Sequence, residues 1–135
     1  MKSKWMGMLA GGLLVAAMPV LAHHSFSAEY DRSQPIKLKG TVTKVEWMNP
    51  HARFYLDVKD DANGKVTNWE FELGSPNGLM RAGWTKNSLK IGDVIEVNGS
   101  RAKDGSNLVN ASNVAFEDGK KVLTGVSSAD DPNTK

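Results

Sequence analysis

The 135-residue sequence contains no cysteine. The chain therefore cannot form a disulfide, a thiolate nucleophile or a thiolate metal site, and it has no thiol to carry a lipoprotein anchor. Its stability has to come from the burial of apolar side chains, which a domain of more than about 100 residues can provide.

Long hydrophobic runs are also absent, except for one at the start of the chain. Residues 6–21 carry no charge, follow a basic start with Lys2 and Lys4, and lead into Val20-Leu21-Ala22. This layout is typical of a secretory signal peptide cleaved after Ala22. A permanent membrane anchor is the alternative, but the run is shorter than the roughly 20 residues that a span requires. We therefore expect residues 1–22 to be removed and the mature protein to be periplasmic, without stable membrane insertion.

The predicted mature chain has no excess of either charge. The full sequence has 17 basic and 15 acidic residues, and the sequence pI is about 8.9. The excess of two is accounted for by Lys2 and Lys4, which belong to the signal peptide. A formally neutral domain offers no electrostatic footprint for nucleic acid, so we do not expect nucleic acid as a partner.

Polar segments flank a region of alternating apolar and polar residues. Residues 23–34 predict an irregular N-terminal arm, and residues 127–135 predict a disordered tail. Alternation with a period of two runs through much of residues 35–126 and is typical of half-buried β-strands. The phase of the first strand slips near Gly40, which predicts a bend or a bulge.

One stretch interrupts this alternation. Ser75-Pro76 is typical of a helix N-cap followed by proline at the first helical position, and Gly83 is typical of a helix end. The predicted order is three strands, a short helix, and two or three further strands. This order and the bent first strand favour an all-β fold with one short helix, namely a five- to six-stranded barrel like the oligonucleotide/oligosaccharide-binding (OB) fold. A β-sandwich is the alternative.

Distinctive short motifs occur across nearly the whole predicted mature chain. They are His23-His24-Ser25-Phe26, the segment from Gly40 to Trp47, Asn49-Pro50-His51, the segment from Gly74 to Leu79, Gly83-Trp84-Thr85, Ser88-Leu89-Lys90, and the segment from Arg101 to Ser106. As a set they resemble an uncharacterised family of small secreted bacterial proteins. The strand pattern is also loosely similar to that of periplasmic bacterial OB-fold proteins. These resemblances imply a fold and a compartment, but they imply no activity.

The histidines suggest a metal site. Cleavage after Ala22 makes His23 the first residue, so that its α-amino group and its ring nitrogen can chelate one ion together. Their usual pKa values of about 8 and about 6.5 allow both to lose a proton to a metal at neutral pH. A second imidazole from His51 completes a three-nitrogen set that suits Cu(II). His24 is the weaker third ligand, because adjacent residues of an extended arm point to opposite sides.

This set is similar to the histidine brace of copper monooxygenases and of some periplasmic copper carriers. The alternative is that His23 and His24 are a solvated chain start and that His51 is a turn residue bonded to the backbone.

A second candidate site combines aromatic and basic side chains. Tyr55 and Arg53 are predicted on the outward face of the second strand, and with Trp84 they suggest a surface for a small ligand, since OB folds stack ligands on aromatic rings. Trp84 can instead fill the bottom of the barrel. Glu70 and Glu72 are interpreted as a solvated strand face and not as an acid–base pair.

The sequence therefore predicts an exported binding module and not an enzyme. The expected partner is copper or another divalent metal ion, bound through His23 and a second histidine. The alternative is a small ligand or an envelope partner, bound on the open face of the barrel.

Overall fold

The computed structural model describes residues 26–119 and 122–124. The predicted signal peptide, His23, His24 and the predicted tail lie outside these residues. The strands are β1 (Tyr30–Glu46), β2 (Arg53–Lys59), β3 (Val66–Glu72), β4 (Val94–Ala102), β5 (Leu108–Phe116) and β6 (Val122–Thr124), and the helices are α1 (Phe26–Glu29) and α2 (Pro76–Arg81). The predicted mostly-β class is confirmed, with one more short helix than expected. In the described ranges, no helix is long and apolar enough to cross a membrane.

The strands form one sheet that closes on itself as a ring. Their order is β3-β2-β1-β4-β5-β6, and β3 also pairs with β5. The closing ladder is parallel and short, because it joins residues 70–72 to residues 108–110. All the other ladders are antiparallel. The long strand β1 pairs with β4 up to Thr41 and with β2 from Thr41 onwards, so it links the two halves of the ring.

Strand β1 changes its register with β2 close to the point where the sequence pattern slips. Its register with β2 shifts between Val42 and Lys44, which confirms the predicted bulge near Gly40. Gly40 lies so close to β2 that a Cβ atom there would be 2.4 Å from the carbonyl oxygen of Asp57. Glycine is needed at this position because the neighbouring backbone leaves no room for a side chain.

The inward face of the strands forms one hydrophobic core. The rings of Phe54 and Phe71 stack 4.9 Å apart across β2 and β3, and both side chains are fully buried. Leu79 of α2 belongs to the same buried cluster. Full burial of each such side chain stabilises the fold by about 1.5–3 kcal/mol relative to exposure. The alternation of the sequence therefore predicts the buried face of β2 correctly.

Helix α2 begins and ends at the predicted residues. The Ser75 hydroxyl accepts a hydrogen bond from the backbone N–H of Gly78 at 3.2 Å, and Pro76 occupies the first helical position. The chain leaves the helix through Gly83, whose φ of 90° suits glycine. Because a helix this short is marginal by itself, the burial of Leu79 is what holds it against the ring.

The first described residues differ from the predicted irregular arm. Residues 26–34 form α1 and the start of β1. Tyr30 is buried and pairs with Ala102 of β4, and the backbone N–H of Lys103 donates to the carbonyl of Glu29 at 2.9 Å. The segment is ordered by these distant contacts, which a local polar pattern does not reveal.

Candidate functional site

His51 is the one predicted metal ligand that falls among the described residues. It lies in the connection between β1 and β2, directly before Ala52. The backbone N–H of Ala52 donates to the carbonyl of Gly74 at 3.0 Å, and the carbonyl of Ala52 accepts from the N–H of Leu73 at 2.9 Å. These two bonds fix the backbone beside the imidazole.

The His51 ring has one nitrogen without a partner. The side chain is partly buried, and its Nδ1 atom is fully buried with no hydrogen bond to any described residue. Such atoms are uncommon, because leaving a buried polar atom unpaired costs about 1–3 kcal/mol. Within residues 26–119 and 122–124, no group of three or more His, Asp or Glu side chains is arranged to hold a metal ion. A site of three such side chains that includes His51 would therefore need at least one ligand from outside this part of the chain.

The start of the described chain contacts the first residues of β1 and the residue after β4. The rings of Phe26 and Tyr30 lie 5.4 Å apart, and the guanidinium of Arg32 lies 4.6 Å from the centre of the Phe26 ring. The ammonium of Lys103 donates to the carbonyl of Ser27. These contacts fix α1 and the first residue of β1 relative to the end of β4.

Glu72 is buried, so its interpretation as part of a solvated strand face is wrong. Its side chain is 8% exposed, and its Oε2 atom lies 3.6 Å from Nη2 of Arg53. The Nη1 atom of Arg53 lies 2.6 Å from Oε1 of Glu70. One guanidinium on β2 thus bridges two carboxylates on β3. The prediction fails because Tyr30, the first residue of β1, lies beside Glu72.

The Tyr30 hydroxyl is buried beside this charged cluster. Burial, followed by the negative charge of Glu72, raises the pKa of Tyr30 above its usual value, while Arg53 opposes the shift. The hydroxyl nevertheless has no hydrogen bond of adequate geometry to a described residue. Tyr30 thus brings the start of the described chain to Arg53, which stands two positions after His51.

The predicted ligand surface does not assemble. Tyr55 and Arg53 lie on the outward face of β2 and are partly exposed, but Trp84 is 2% exposed and belongs to the core. Its assignment to a surface is therefore wrong, and it fills the interior after α2. Tyr55 is itself engaged by neighbours, since its hydroxyl lies 3.4 Å from Glu46 and the Lys44 ammonium lies 5.1 Å from its ring centre.

Trp84 borders a narrow slot that also touches Trp47, Arg53 and Lys86. The space inside it is about 10 Å³, which is room for about one water molecule. The indole N–H of Trp84 is buried and has no hydrogen-bond partner among the described residues. The slot is too small for an organic ligand.

A much larger groove lies between β1 and the β2–β3 hairpin. Its volume is about 970 Å³, within the range of about 300–1,000 Å³ that is typical of ligand sites. Its walls are residues 37–41 and residues 57–61, and Trp69 contributes apolar surface. Sequence reasoning missed this groove because it arises from the divergence of two strands. The slip near Gly40 is the one sequence signal that pointed to it.

Comparison with known proteins gives a family but no activity. No curated protein and no solved structure gives a significant match to the chain. A family model matches residues 10–110, and its description is a family of unknown function (DUF6152). The match covers most of the chain and includes the segment around His51. The chain therefore belongs to this family of unknown function.

Proposed function

We propose that this protein is an exported, periplasmic binding module that holds copper or another late divalent metal ion through His23 and His51. The observation that carries the proposal is the buried Nδ1 atom of His51, which has no partner among the described residues. A bound ion would balance the cost of burying this nitrogen. The family match gives no activity to set against this reading.

The position of the first described residues supports the proposal. Phe26 packs on Tyr30, and Tyr30 lies beside Glu72 and Arg53. Arg53 is two positions after His51 in the sequence. Phe26 lies three positions after His23, and an extended segment of that length spans about 10 Å. The proposal requires this segment to bring His23 to His51.

The chemistry of the proposed ligands favours copper. The α-amine of His23, its imidazole and the His51 imidazole would form a set of nitrogen donors, and Cu(II) binds such donors more tightly than the other divalent first-row metals. His24 is the weaker candidate for the third ligand. Among the described residues, no group of three or more carboxylates is arranged to hold calcium or magnesium. Because no catalytic partner is assigned beside His51, we propose binding and not redox catalysis.

We also infer that the ring is a barrel of the OB type. The strand order around the ring is β1-β2-β3-β5-β4, and α2 lies between β3 and β4 in the chain. This agrees with a five-stranded Greek-key barrel. The inference supports a binding role, because such barrels bind ligands with their loops and strand faces. The loop that carries His51 joins the first two strands.

The test is Cu(II) affinity of the exported protein, with its N-terminus at His23 verified by mass spectrometry. We expect one ion per chain and an electron paramagnetic resonance spectrum with nitrogen coupling. A matched protein with one extra alanine before His23 should lose at least about tenfold in affinity, because the extension removes the primary amine from the chelate. His51→Ala should also weaken binding by about tenfold or more.

His24→Ala is the control, and we expect it to change affinity by less than about threefold. The proposal fails if the extended protein and His51→Ala both bind copper as tightly as the unchanged protein. If the extension weakens binding but His51→Ala does not, the N-terminus binds copper without the ring. That result would remove His51 from the site and contradict the proposal.

A further inference from the structure

Helix α1 depends on other parts of the chain for its position. It has four residues, and none of them is buried. A helix this short is not stable by itself in water, because a single turn does not offset the cost of ordering its backbone. The position of α1 relative to the ring is therefore set by contacts with residues from elsewhere in the chain.

Lys103 supplies two of these contacts. Its backbone N–H donates to the carbonyl of Glu29 at 2.9 Å, and its ammonium donates to the carbonyl of Ser27 at 2.5 Å. The last carbonyl groups of a helix have no partner within the helix, so a lysine that donates to them stabilises the helix end. Lys103 thus joins α1 to a residue that lies 76 positions after Ser27 in the chain.

The turn that carries Lys103 is itself fixed by hydrogen bonds. The backbone N–H of Gly105 donates to the carbonyl of Ala102 at 3.2 Å. The guanidinium of Arg101 donates to the carbonyl of Gly105 at 2.7 Å. Because Arg101 and Ala102 end strand β4, the ring holds Lys103 in place, and Lys103 gives α1 a fixed point of attachment.

Phe26 supplies the second attachment, through two side chains of β1. Its ring centre lies 5.4 Å from that of Tyr30, and the guanidinium of Arg32 lies 4.6 Å from it, within the range of a cation–π contact. Tyr30 is 2% exposed and pairs with Ala102 of β4. The first described residue is therefore connected to the ring through a buried side chain.

These contacts shorten the stretch between His23 and the first fixed residue. While they hold, that residue is Phe26, three positions after His23. Without them it is Tyr30, the first residue paired with β4, which lies seven positions after His23. The effective concentration of a group on a flexible tether falls roughly as the −3/2 power of tether length, so a change from three to seven residues lowers it about fourfold.

We propose that Phe26 and Lys103 are positioning residues of the metal site, which hold the start of the mature chain at the ring so that the His23 ligands meet His51 at a higher effective concentration. The inference rests on the proposed function and adds no ligand to the site. Neither residue touches the ion, and their role is to limit how far His23 can move from His51.

The test variant is Phe26→Ala with Lys103→Ala, which removes both side-chain contacts. Its Cu(II) affinity is measured by competition with nitrilotriacetate, on exported protein with its N-terminus at His23 verified by mass spectrometry. We expect the affinity to fall about fourfold. The matched control is Phe26→Tyr with Lys103→Arg, which keeps an aromatic ring and a cationic donor and should change the affinity by less than about twofold.

A double-mutant cycle with His51→Ala separates positioning from a general loss of structure. In the His51→Ala background the N-terminal ligands bind without the ring, so removing the two contacts should change the affinity by less than about twofold. The electron paramagnetic resonance spectrum of the test variant should match that of the unchanged protein, because the ligands are the same. Circular dichroism melting reports whether each variant keeps its fold.

Hydrogen–deuterium exchange of the metal-free protein tests the two attachments without copper. The amide groups of residues 26–30 should exchange faster in the test variant than in the unchanged protein and in the matched control. Those of β2 and β3 should exchange equally in all three proteins, because these strands lie outside the attached segment.

Three results would overturn the inference. One is equal exchange of residues 26–30 in the test variant and the unchanged protein, which would show that the two contacts do not hold the segment. Another is faster exchange with an unchanged copper affinity. The third is an equal loss of affinity in the His51→Ala background, which would place the effect on the N-terminal ligands alone.

These results are distinct from a failure of the proposed function. If His51→Ala weakens copper binding and the test variant does not, the inference about Phe26 and Lys103 fails and the metal site stands. If His51→Ala binds copper as tightly as the unchanged protein, the proposed function fails and this inference fails with it.

Discussion

Gly40→Val tests the close approach of β1 to β2. The position has ordinary strand geometry, so glycine is not required there by a positive φ. In a free strand, replacing glycine by a residue with a side chain would stabilise the fold by about 0.5–1 kcal/mol, because glycine loses more backbone entropy on folding. Here the added Cβ would lie 2.4 Å from the carbonyl oxygen of Asp57 and 3.1 Å from the Val58 side chain.

The backbone of β2 cannot move away from this contact without disturbing its pairing with both neighbouring strands. Asp57 is paired with Thr41 on one side and with Asn68 on the other. Overpacking typically costs about 1–3 kcal/mol, and the two further methyl groups of valine place Gly40→Val at about 3 kcal/mol. For a domain of this size, 1 kcal/mol lowers the melting temperature by about 4–8 °C. We therefore expect a decrease of more than about 10 °C, with Gly40→Ala intermediate.

The assay is thermal and urea unfolding of the mature protein, followed by far-ultraviolet circular dichroism and tryptophan fluorescence. Thr41→Val is the control, because it places the same side chain at the next, exposed position of β1. It should change the free energy of unfolding by less than about 0.5 kcal/mol. Equal melting temperatures for Gly40→Val and the unchanged protein would refute the argument from close approach.

Three further predictions concern buried polar groups. Because the pKa of folded Tyr30 is raised, the unchanged protein should lose stability as the pH rises above about 10, where the unfolded tyrosine ionises. Tyr30→Phe should lessen this loss without lowering the melting temperature at pH 7. A steeper loss of stability in Tyr30→Phe would contradict this prediction. Arg53→Gln should lower the free energy of unfolding, measured with urea, by about 2 kcal/mol, because it removes the counter-charge of Glu72. Adding Glu72→Gln should recover most of this lost stability. Trp84→Phe should lower the free energy of unfolding by less than about 2 kcal/mol, because the lost indole N–H is unpaired among the described residues. A loss of stability as large as that of Trp84→Ala would show that this donor has a partner.

The strands and the second helix could be predicted because their signals are local. Alternation identifies the buried face of β2, and the Ser75-Pro76 pair marks the start of α2. The slip near Gly40 predicts the bulge of β1. Each of these features depends on the properties of a few neighbouring residues, and the folded protein does not override them.

The missed features depend on contacts between distant residues. Nothing near Glu72 in the chain indicates that Tyr30 will lie beside it. For Trp84 the sequence left a surface and an interior position open, and its burial in the core agrees with the interior one. The groove depends on where β1 leaves β2, which is a property of the ring. For the proposed metal site, the sequence supplies the ligand types, while His23 and His24 lie outside the described residues and their role stays a prediction.

The pairing of β1 with β4 also determines when the domain can fold. A polypeptide emerges from the ribosome with its N-terminus first, and β1 cannot complete its ladder until the chain beyond Val94 has been made. The β2–β3 hairpin is local, but closing the ring needs residues 108–110 as well. Contacts between distant residues form slowly, because loop closure has to precede them. The ring therefore cannot close until residues 108–110 have been made, so the complete fold forms only after most of the chain has been synthesised.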